Sequence, residues 1–413
     1  MIFQIQGAGM KNFLRLAIVL FACTFIAHSC QAANQKRPWT FLVYIAADNN
    51  LNPEADANIA QMVKASASSN VHILVYLNIK RKNEPKKTQR LLIKNGKIIQ
   101  QGDTTVEDSG IPSTLIKALA WAATQFPSDY LLVDLWNHGS GPLNRDMLIH
   151  RGICYDDTTG HYLTDIDCKN AFDVLVNQYR AGKKIDIIAF DACLMANLEV
   201  AYTFMPYAHY MVGSQQTVPG SGFNYADVLS LFEKNIPNPA AVSSGMVSSF
   251  DNYYKRYSNI SYTLSAINLD KINLCTTTTN TIATILFNLL NADQNDTVKK
   301  VIATCINPSI CAHFDEYTYI DLYSFYANLY VRVNALKISS KDALQLQTAL
   351  RQAMSALSAA VFANVQSPDL PKTHGLSIYF ADSYYGIEPS YYQLYWSITN
   401  PYWVNFLDAF IYG

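Results

Sequence analysis

The sequence predicts an α/β fold, a mostly parallel sheet flanked by helices, with a more helical C-terminal region. Three observations predict it. Short apolar runs such as Thr40-Phe41-Leu42-Val43-Tyr44-Ile45-Ala46 and Ile185-Asp186-Ile187-Ile188-Ala189-Phe190 have the length and continuity of strands buried on both faces. Segments of helical period alternate with them, the pattern of strand–helix–strand units. Half of the residues are hydrophobic and only 15% are charged, so a sizeable core can form and wholesale disorder is excluded. At 413 residues the chain is too long for one core of usual size and suggests one large domain with a smaller one.

Residues 1–32 read as a targeting segment. Lys11 and Arg15 form a short basic start, Leu16 to Ala27 is apolar, and small residues follow. The apolar run is short for a spanning helix. Met10 offers a second start. Cleavage before Cys30 would leave a lipid-anchored cysteine, and cleavage after Ala32 would release the chain, so the expected location is the cell envelope or the exterior. The formal net charge of −1 points to neither nucleic acid nor an anionic membrane surface as a partner.

Residues 37–260 carry the strand–helix alternation. Thr40 to Ala46 is a strand, Asn52 to Ser66 a helix and Val71 to Leu77 a strand. The basic run Lys80 to Lys87 contains Pro85 and is expected to be a solvated loop. Arg90 to Lys94 and Lys97 to Gln100 flank Asn95-Gly96, a dipeptide suited to the positive φ of a tight hairpin turn. Ser113 to Gln125 reads as helix and Asp129 to Trp136 as strand. Thr164-Asp165-Ile166-Asp167 has a capping-box pattern, and Cys168, Ala171, Phe172 and Leu175 recur at helical spacing, which makes Cys168 a core residue. Ile185 to Phe190 and His209 to Val212 are strands. Residues 261–413 are mainly helical, with clear helices at Asn280 to Asn291 and Lys341 to Ala363 and a late strand at Gly375 to Phe380.

Two blocks could carry chemistry. In Leu131-Leu132-Val133-Asp134-Leu135-Trp136-Asn137-His138-Gly139-Ser140-Gly141 a strand delivers a histidine to its C-terminal end, where sites form in open α/β sheets. Gly139 and Gly141 allow close backbone approach to a ligand. Alone, this is an ordinary glycine turn. In Asp191-Ala192-Cys193-Leu194-Met195 a second buried strand ends just before a cysteine, and a helix is expected to follow. Its N-terminus would favour the thiolate, the nucleophilic form. Alone, Cys193 is as well read as a structural cysteine. Together the blocks are specific. His138 precedes Cys193 by 55 positions with one strand–helix unit between them, so the two strands can be parallel neighbours that face a base and a nucleophile across their ends. Cys154 and His161 are the alternatives nearby. Caspases share the His-then-Cys order, but Asp191-Ala192-Cys193-Leu194 is not their cysteine signature. The eight cysteines include no CxxC pair, and no zinc site is expected.

Trp136-Asn137-His138-Gly139-Ser140-Gly141 and Asp191-Ala192-Cys193-Leu194-Met195 resemble the clostripain family of caspase-fold cysteine peptidases. Further likenesses are Tyr44 to Leu51, Tyr155 to Gly160, Pro219 to Phe223 and His374 to Phe380. The resemblance implies a caspase-like domain, a His138/Cys193 dyad, and backbone N–H groups of Gly139 and Cys193 as an oxyanion hole. Asp191 would sit in the pocket that receives Arg or Lys before the scissile bond of a peptide or protein substrate. One departure weakens that last expectation. The family often carries acidic residues in the segment Ser214 to Gly220, where this chain has Gln216 and Val218. Arg145 and Arg151 are candidate processing sites by resemblance. Some members depend on calcium. Asp156, Asp157 and Asp165 lack a calcium-loop spacing, so no cofactor or metal is expected. Two other readings use the same residues: an exported binding lipoprotein without activity, and a different acyl-transferring thiol enzyme.

Overall fold

The structure is a computed structural model that describes residues 34–142, 152–233, 236–292, 295–381 and 386–413. The targeting segment with Cys30, and Arg145 and Arg151, lie outside the described residues.

The first apolar run becomes β1 (Arg37–Ala47), followed by α1 (Asn52–Lys64) and β2 (Val71–Ile79). A hairpin of β3 (Lys87–Lys94) and β4 (Lys97–Gln100) comes next, then α2 (Pro112–Gln125) and β5 (Ser128–Trp136). The hairpin turns at Asn95 and Gly96 with φ of 51° and 72°, the left-handed pair that a two-residue turn demands. Next come a short hairpin of β6 (Ile153–Asp156) and β7 (His161–Leu163), then α3 (Asp165–Val174), β8 (Ile185–Asp191), α4 (Leu198–Phe204), β9 (Ala208–Gly213), α5 (Tyr225–Ser230) and α6 (Pro239–Tyr254). Thr164 and Asp167 form the expected capping box at the start of α3. Beyond residue 260 lie β10 (Thr263–Asn268), α7 (Ile272–Leu290), α8 (Asn295–Cys305), β11 (Tyr319–Asp321), α9 (Leu322–Tyr330), α10 (Ser340–Ala360), β12 (Val361–Gln366), β13 (Ser377–Tyr379), α11 (Tyr395–Thr399) and α12 (Pro401–Tyr412).

The central sheet runs β12-β10-β9-β8-β5-β1-β2-β3-β4. Its five middle strands, β9, β8, β5, β1 and β2, are mutually parallel. Antiparallel strands close both edges. Strands β10 and β12 come from beyond residue 260, so the C-terminal segment completes the sheet as well as covering it. The helix expected to reach Ala363 stops at Ala360. From Val361 the chain pairs with β10, because β-branched and aromatic residues beside an open strand edge gain more from the ladder than from another helical turn.

Side chains of the parallel strands alternate between two cores. Leu131, Val133 and Leu135 of β5 pack with α2, α3 and the C-terminal helices, while Leu132 and Trp136 pack with α1, α5 and α6. Burial of one such side chain stabilises the fold by roughly 1.5–3 kcal/mol, which lets β5 tolerate a single carboxyl, Asp134, in its buried run. The chain winds from β1 to β2 on one side and returns to β5 on the other. That reversal opens a crevice at the C-terminal ends of β1 and β5, the usual place for a site in such sheets.

Candidate active site

Strands β5 and β8 are parallel neighbours with Trp136 opposite Asp191. The Asn137 N–H donates to the Asp191 carbonyl at 3.2 Å. His138 and Cys193 therefore each leave the sheet two residues past a paired position. Between them the backbones touch: a Cβ on Gly139 would stand 2.6 Å from the Cys193 carbonyl oxygen and 3.2 Å from its nitrogen. Only a glycine lets the histidine block lie this close to the cysteine block.

His138 is oriented from the other side of the crevice. Its Nε2–H donates to Asn50 Oδ1 at 2.6 Å, which leaves the lone pair of the neutral ring on Nδ1. Asn50 follows β1, and the turn that carries it is braced. Asn49 Nδ2 donates to the Ala46 and Tyr155 carbonyls at 3.0 and 3.1 Å, and its Oδ1 accepts from the Leu51 N–H at 3.0 Å. Asn137 Nδ2 donates to the same two carbonyls, the first contact very short and the second at 3.3 Å. Lys86 is buried between Asp48 and Asp156, pairing with Asp48 at 3.0 Å. This corrects the expectation that Lys80 to Lys87 is simply a solvated loop. Two carboxylates from different elements draw Lys86 inward, because a buried ammonium is tolerated only when paired.

Cys193 lies in a turn, not at a helix start. Helix α4 begins at Leu198 with Asn197 as its cap, so its dipole does not reach the thiol, and that expected source of activation is corrected. Leu194 takes a left-handed φ of 63° to aim the turn. The turn is pinned to the segment after β9: Leu194 N–H donates to the Gln216 carbonyl at 3.2 Å and Ala196 N–H to the Ser214 carbonyl at 2.9 Å. The Val218 N–H donates to Cys193 Sγ at 3.3 Å, and the thiol faces the Val218 carbonyl at 3.8 Å. Burial pushes the Cys193 thiol up, and the charges of Asp191 and Asp315 push the same way. The Val218 and Gly139 N–H groups pull it down. Among the described cysteines Cys193 alone is partly exposed; Cys154, Cys168, Cys275, Cys305 and Cys311 are buried. Cys154, with its thiol driven well up by burial, has no access to a substrate.

Asp191 points below this surface and is only 5% exposed. Its Oδ2 accepts from the Phe223 N–H at 2.9 Å and the Tyr225 hydroxyl at 3.0 Å. The same hydroxyl lies 2.8 Å from Asp134 Oδ2, and the Asp191 N–H donates to Asp134 Oδ1 at 3.1 Å. Both carboxyls are raised, by burial first and, for Asp134, by the charge of Asp191 next. Gly222, at φ 64°, lies over the carboxylate; a Cβ there would be 2.4 Å from Asp191 Oδ2. Asp134 is the one polar residue in the buried run Leu131–Trp136, yet nothing local marks it as the neighbour of Asp191.

The remaining candidates stand apart. His161 pairs with Asp108 on the surface. Asp156 accepts from Ser109 as well as Lys86, and Asp165 accepts from the Tyr395 N–H at 2.9 Å. Among the described residues no group of three or more His, Cys, Asp or Glu is placed to hold a metal ion, and no helix is long and apolar enough to cross a membrane.

The sequence model of the clostripain family matches residues 43–408. Clostripain of Hathewaya histolytica is 23% identical, over 92% of this chain and 82% of that protein. Two solved structures share the fold. One is a secreted C11 cysteine protease from Bacteroides thetaiotaomicron bound to an irreversible peptide inhibitor, with TM-score 0.63, 20% identity, and 90% of this chain and 99% of that one covered. The other is an inactive zymogen C11 protease from Parabacteroides distasonis, with TM-score 0.62, 20% identity, and coverage of 89% and 99%.

Proposed function

We propose, for a chain that belongs to the clostripain family and is a cysteine-type peptidase, that Cys193 is the nucleophile and His138 its acid–base partner. One observation carries this reading. The ends of two adjacent parallel strands press the backbone of Gly139 against that of Cys193, the one partly exposed described cysteine. His138 takes the thiol proton as sulfur attacks the carbonyl carbon of the scissile bond. The negative oxygen that forms is met by the N–H groups of Gly139 and Cys193. His138 then gives the proton to the leaving amine as the C–N bond breaks. Water attacks the thioester with His138 as base, and the acid product leaves with the thiol restored. Asn50 is a positioning residue. It fixes the tautomer and accepts from the imidazolium as it forms.

Asp191 lies two residues before Cys193, under the loop from Pro219 to Phe223. As the floor of the pocket it would favour Arg or Lys before the scissile bond. Its bonds to Phe223 and Tyr225 and its pairing with Asp134 support a preference weaker than a free carboxylate would give. The layout of residues 1–32 supports export, to the envelope through Cys30 or to the medium.

The test is labelling by a peptide electrophile that ends in Arg, read by intact-protein and peptide mass spectrometry. Wild type should label at Cys193, and folded Cys193→Ala should neither label nor hydrolyse. His138→Ala should lose about 10²–10⁴-fold in rate. Undiminished turnover by folded Cys193→Ala, or labelling of Cys154, would sink the assignment. The same spectra read the mature N-terminus: a start at lipidated Cys30 or near Ala33 agrees with export, and an intact Met1 or Met10 contradicts it.

A further inference from the structure

The segment after β9 has lost the acids that the family resemblance leads one to expect, and the structure shows what Gln216 does instead. Its Oε1 accepts from the Thr217 N–H at 2.8 Å and from the Asp315 N–H at 3.0 Å. The Gln216 side chain is thereby a clamp for a distant loop, the one between α8 and β11. Thr217 completes the clamp by donating its hydroxyl to Asp315 Oδ2 at 2.9 Å. The next residue, Val218, carries the N–H that contacts Cys193 Sγ. Asp315 is thus fastened to the strip of backbone that holds the nucleophile.

Two carboxylates bear on Cys193, and they differ in access. Asp191 is enclosed by Gly222, Phe223 and Tyr225 and shares its surroundings with Asp134. Asp315 is exposed, and among the described residues no Lys, Arg or His forms an ion pair with it. An exposed carboxylate held by one hydroxyl keeps most of its lone pairs for a ligand. A guanidinium or ammonium arriving beside Cys193 would meet it without disturbing any buried contact.

We infer that Asp315 is the carboxylate that receives the cationic side chain of a substrate residue preceding the scissile bond, restoring from the C-terminal segment the charge that Gln216 and Val218 lack. The inference rests on the proposed reading of a peptidase that prefers Arg or Lys. It assigns that preference mainly to Asp315 and leaves the floor residue Asp191 a minor share. Because Asp315 is solvated, its effect is moderate and weakened by salt.

The test is kcat/KM for matched fluorogenic peptides that differ only in Arg, norleucine or Glu before the cleaved bond. The mature wild type is compared with Asp315→Asn, Asp315→Lys, Asp191→Asn and Thr217→Val. Asp315→Asn keeps the acceptor for Thr217 and should lower the Arg-to-norleucine ratio about 3–5-fold. Asp315→Lys should lower it further and raise turnover of the Glu peptide. Thr217→Val, which loosens the clamp but keeps the charge, should hold the ratio within about twofold. The wild-type ratio should fall as salt rises from low to molar concentration. A ratio unchanged in Asp315→Asn while Asp191→Asn collapses it overturns the inference and leaves the basic preference standing. Equal slowing of all three peptides in Asp315→Asn also overturns it, making Asp315 only a brace. A wild type that cleaves Arg and norleucine peptides equally fails the underlying specificity reading, a separate result from either.

Discussion

Replacing Gly139 by alanine should cripple turnover without unfolding the protein. The added Cβ would stand 2.6 Å from the Cys193 carbonyl oxygen, where ordinary contact begins at 3.4 Å, so the two backbones must separate by roughly 0.8 Å. It would also press on the Ala192 Cβ at 3.0 Å. Gly139 has no left-handed φ, so alanine adds no conformational strain of its own, and the effect is steric. Separation moves His138 and the Gly139 N–H away from Cys193 together. A misplacement near 1 Å lowers rates by about 10²-fold when reacting groups must be held in line. The expected result is a fall in kcat of about 10²-fold, with KM within a few-fold because the pocket walls are untouched. Overpacking at one position should lower stability by about 1–3 kcal/mol, read by urea denaturation. A Gly139→Ala enzyme that keeps kcat within threefold of wild type would show that the two blocks need not touch, and the geometric case for the dyad would go with it.

Asn50→Ala should lower kcat by about 10–150-fold, the worth of a hydrogen bond to a charged group, with KM little changed. Asn50→Asp should recover much of the rate and shift the acidic limb of the kcat/KM profile to higher pH, since a carboxylate stabilises the imidazolium; an unshifted limb in both variants would remove Asn50 from the mechanism. The Asp134–Asp191 pair makes stability pH-dependent. Burial raises both groups, so above the ordinary carboxylate value near 4 the folded chain holds protons that the unfolded chain has released. Their stabilising contribution is full below that value and is lost as pH rises toward the folded values. Asp134→Asn should therefore flatten the decline between pH 5 and pH 8 by at least about 1 kcal/mol, and parallel urea curves for variant and wild type would show that Asp134 does not hold a proton through this range.

Much of the site's scaffold was legible because it depends on local or nearest-strand physics. The Asn95-Gly96 turn, the Thr164/Asp167 box and the ends of β5 and β8 each follow from a few adjacent residues. The adjacency of β5 and β8 was expected from one strand–helix unit between His138 and Cys193; the structure keeps the adjacency but puts there the β6–β7 hairpin, a separate small sheet, and then α3. What escaped depends on pairs far apart in sequence. Asn50 meets His138 across 88 positions, and Thr217 meets Asp315 across 98. For Asn50 there was a usable signal, the polar run Asp48-Asn49-Asn50 directly after a buried strand. Asp315 had none, since it lies in a loop whose neighbours are set by how the C-terminal helices dock. The misread features share one cause. Local composition points to a solvated Lys86 and a helix after Cys193, but each is decided by a tertiary partner: Asp48 and Asp156 for the lysine, the backbone of residues 214–218 for the turn.

Loss of the expected helix dipole changes how Cys193 would be activated as the proposed nucleophile. With α4 starting only at Leu198, the thiolate's support comes from the Val218 and Gly139 N–H groups, and burial with two carboxylates opposes it. Because burial and both carboxylates oppose ionisation of this thiol, the proposed mechanism needs a base at the moment the bond forms, the part it gives to His138. The same balance gives a substrate cation two effects at once. Paired with Asp315, it anchors the peptide and cancels one of the charges that resist ionisation of Cys193. An Arg peptide should then gain in kcat as well as in KM, whereas a pocket that only bound the side chain would improve KM alone.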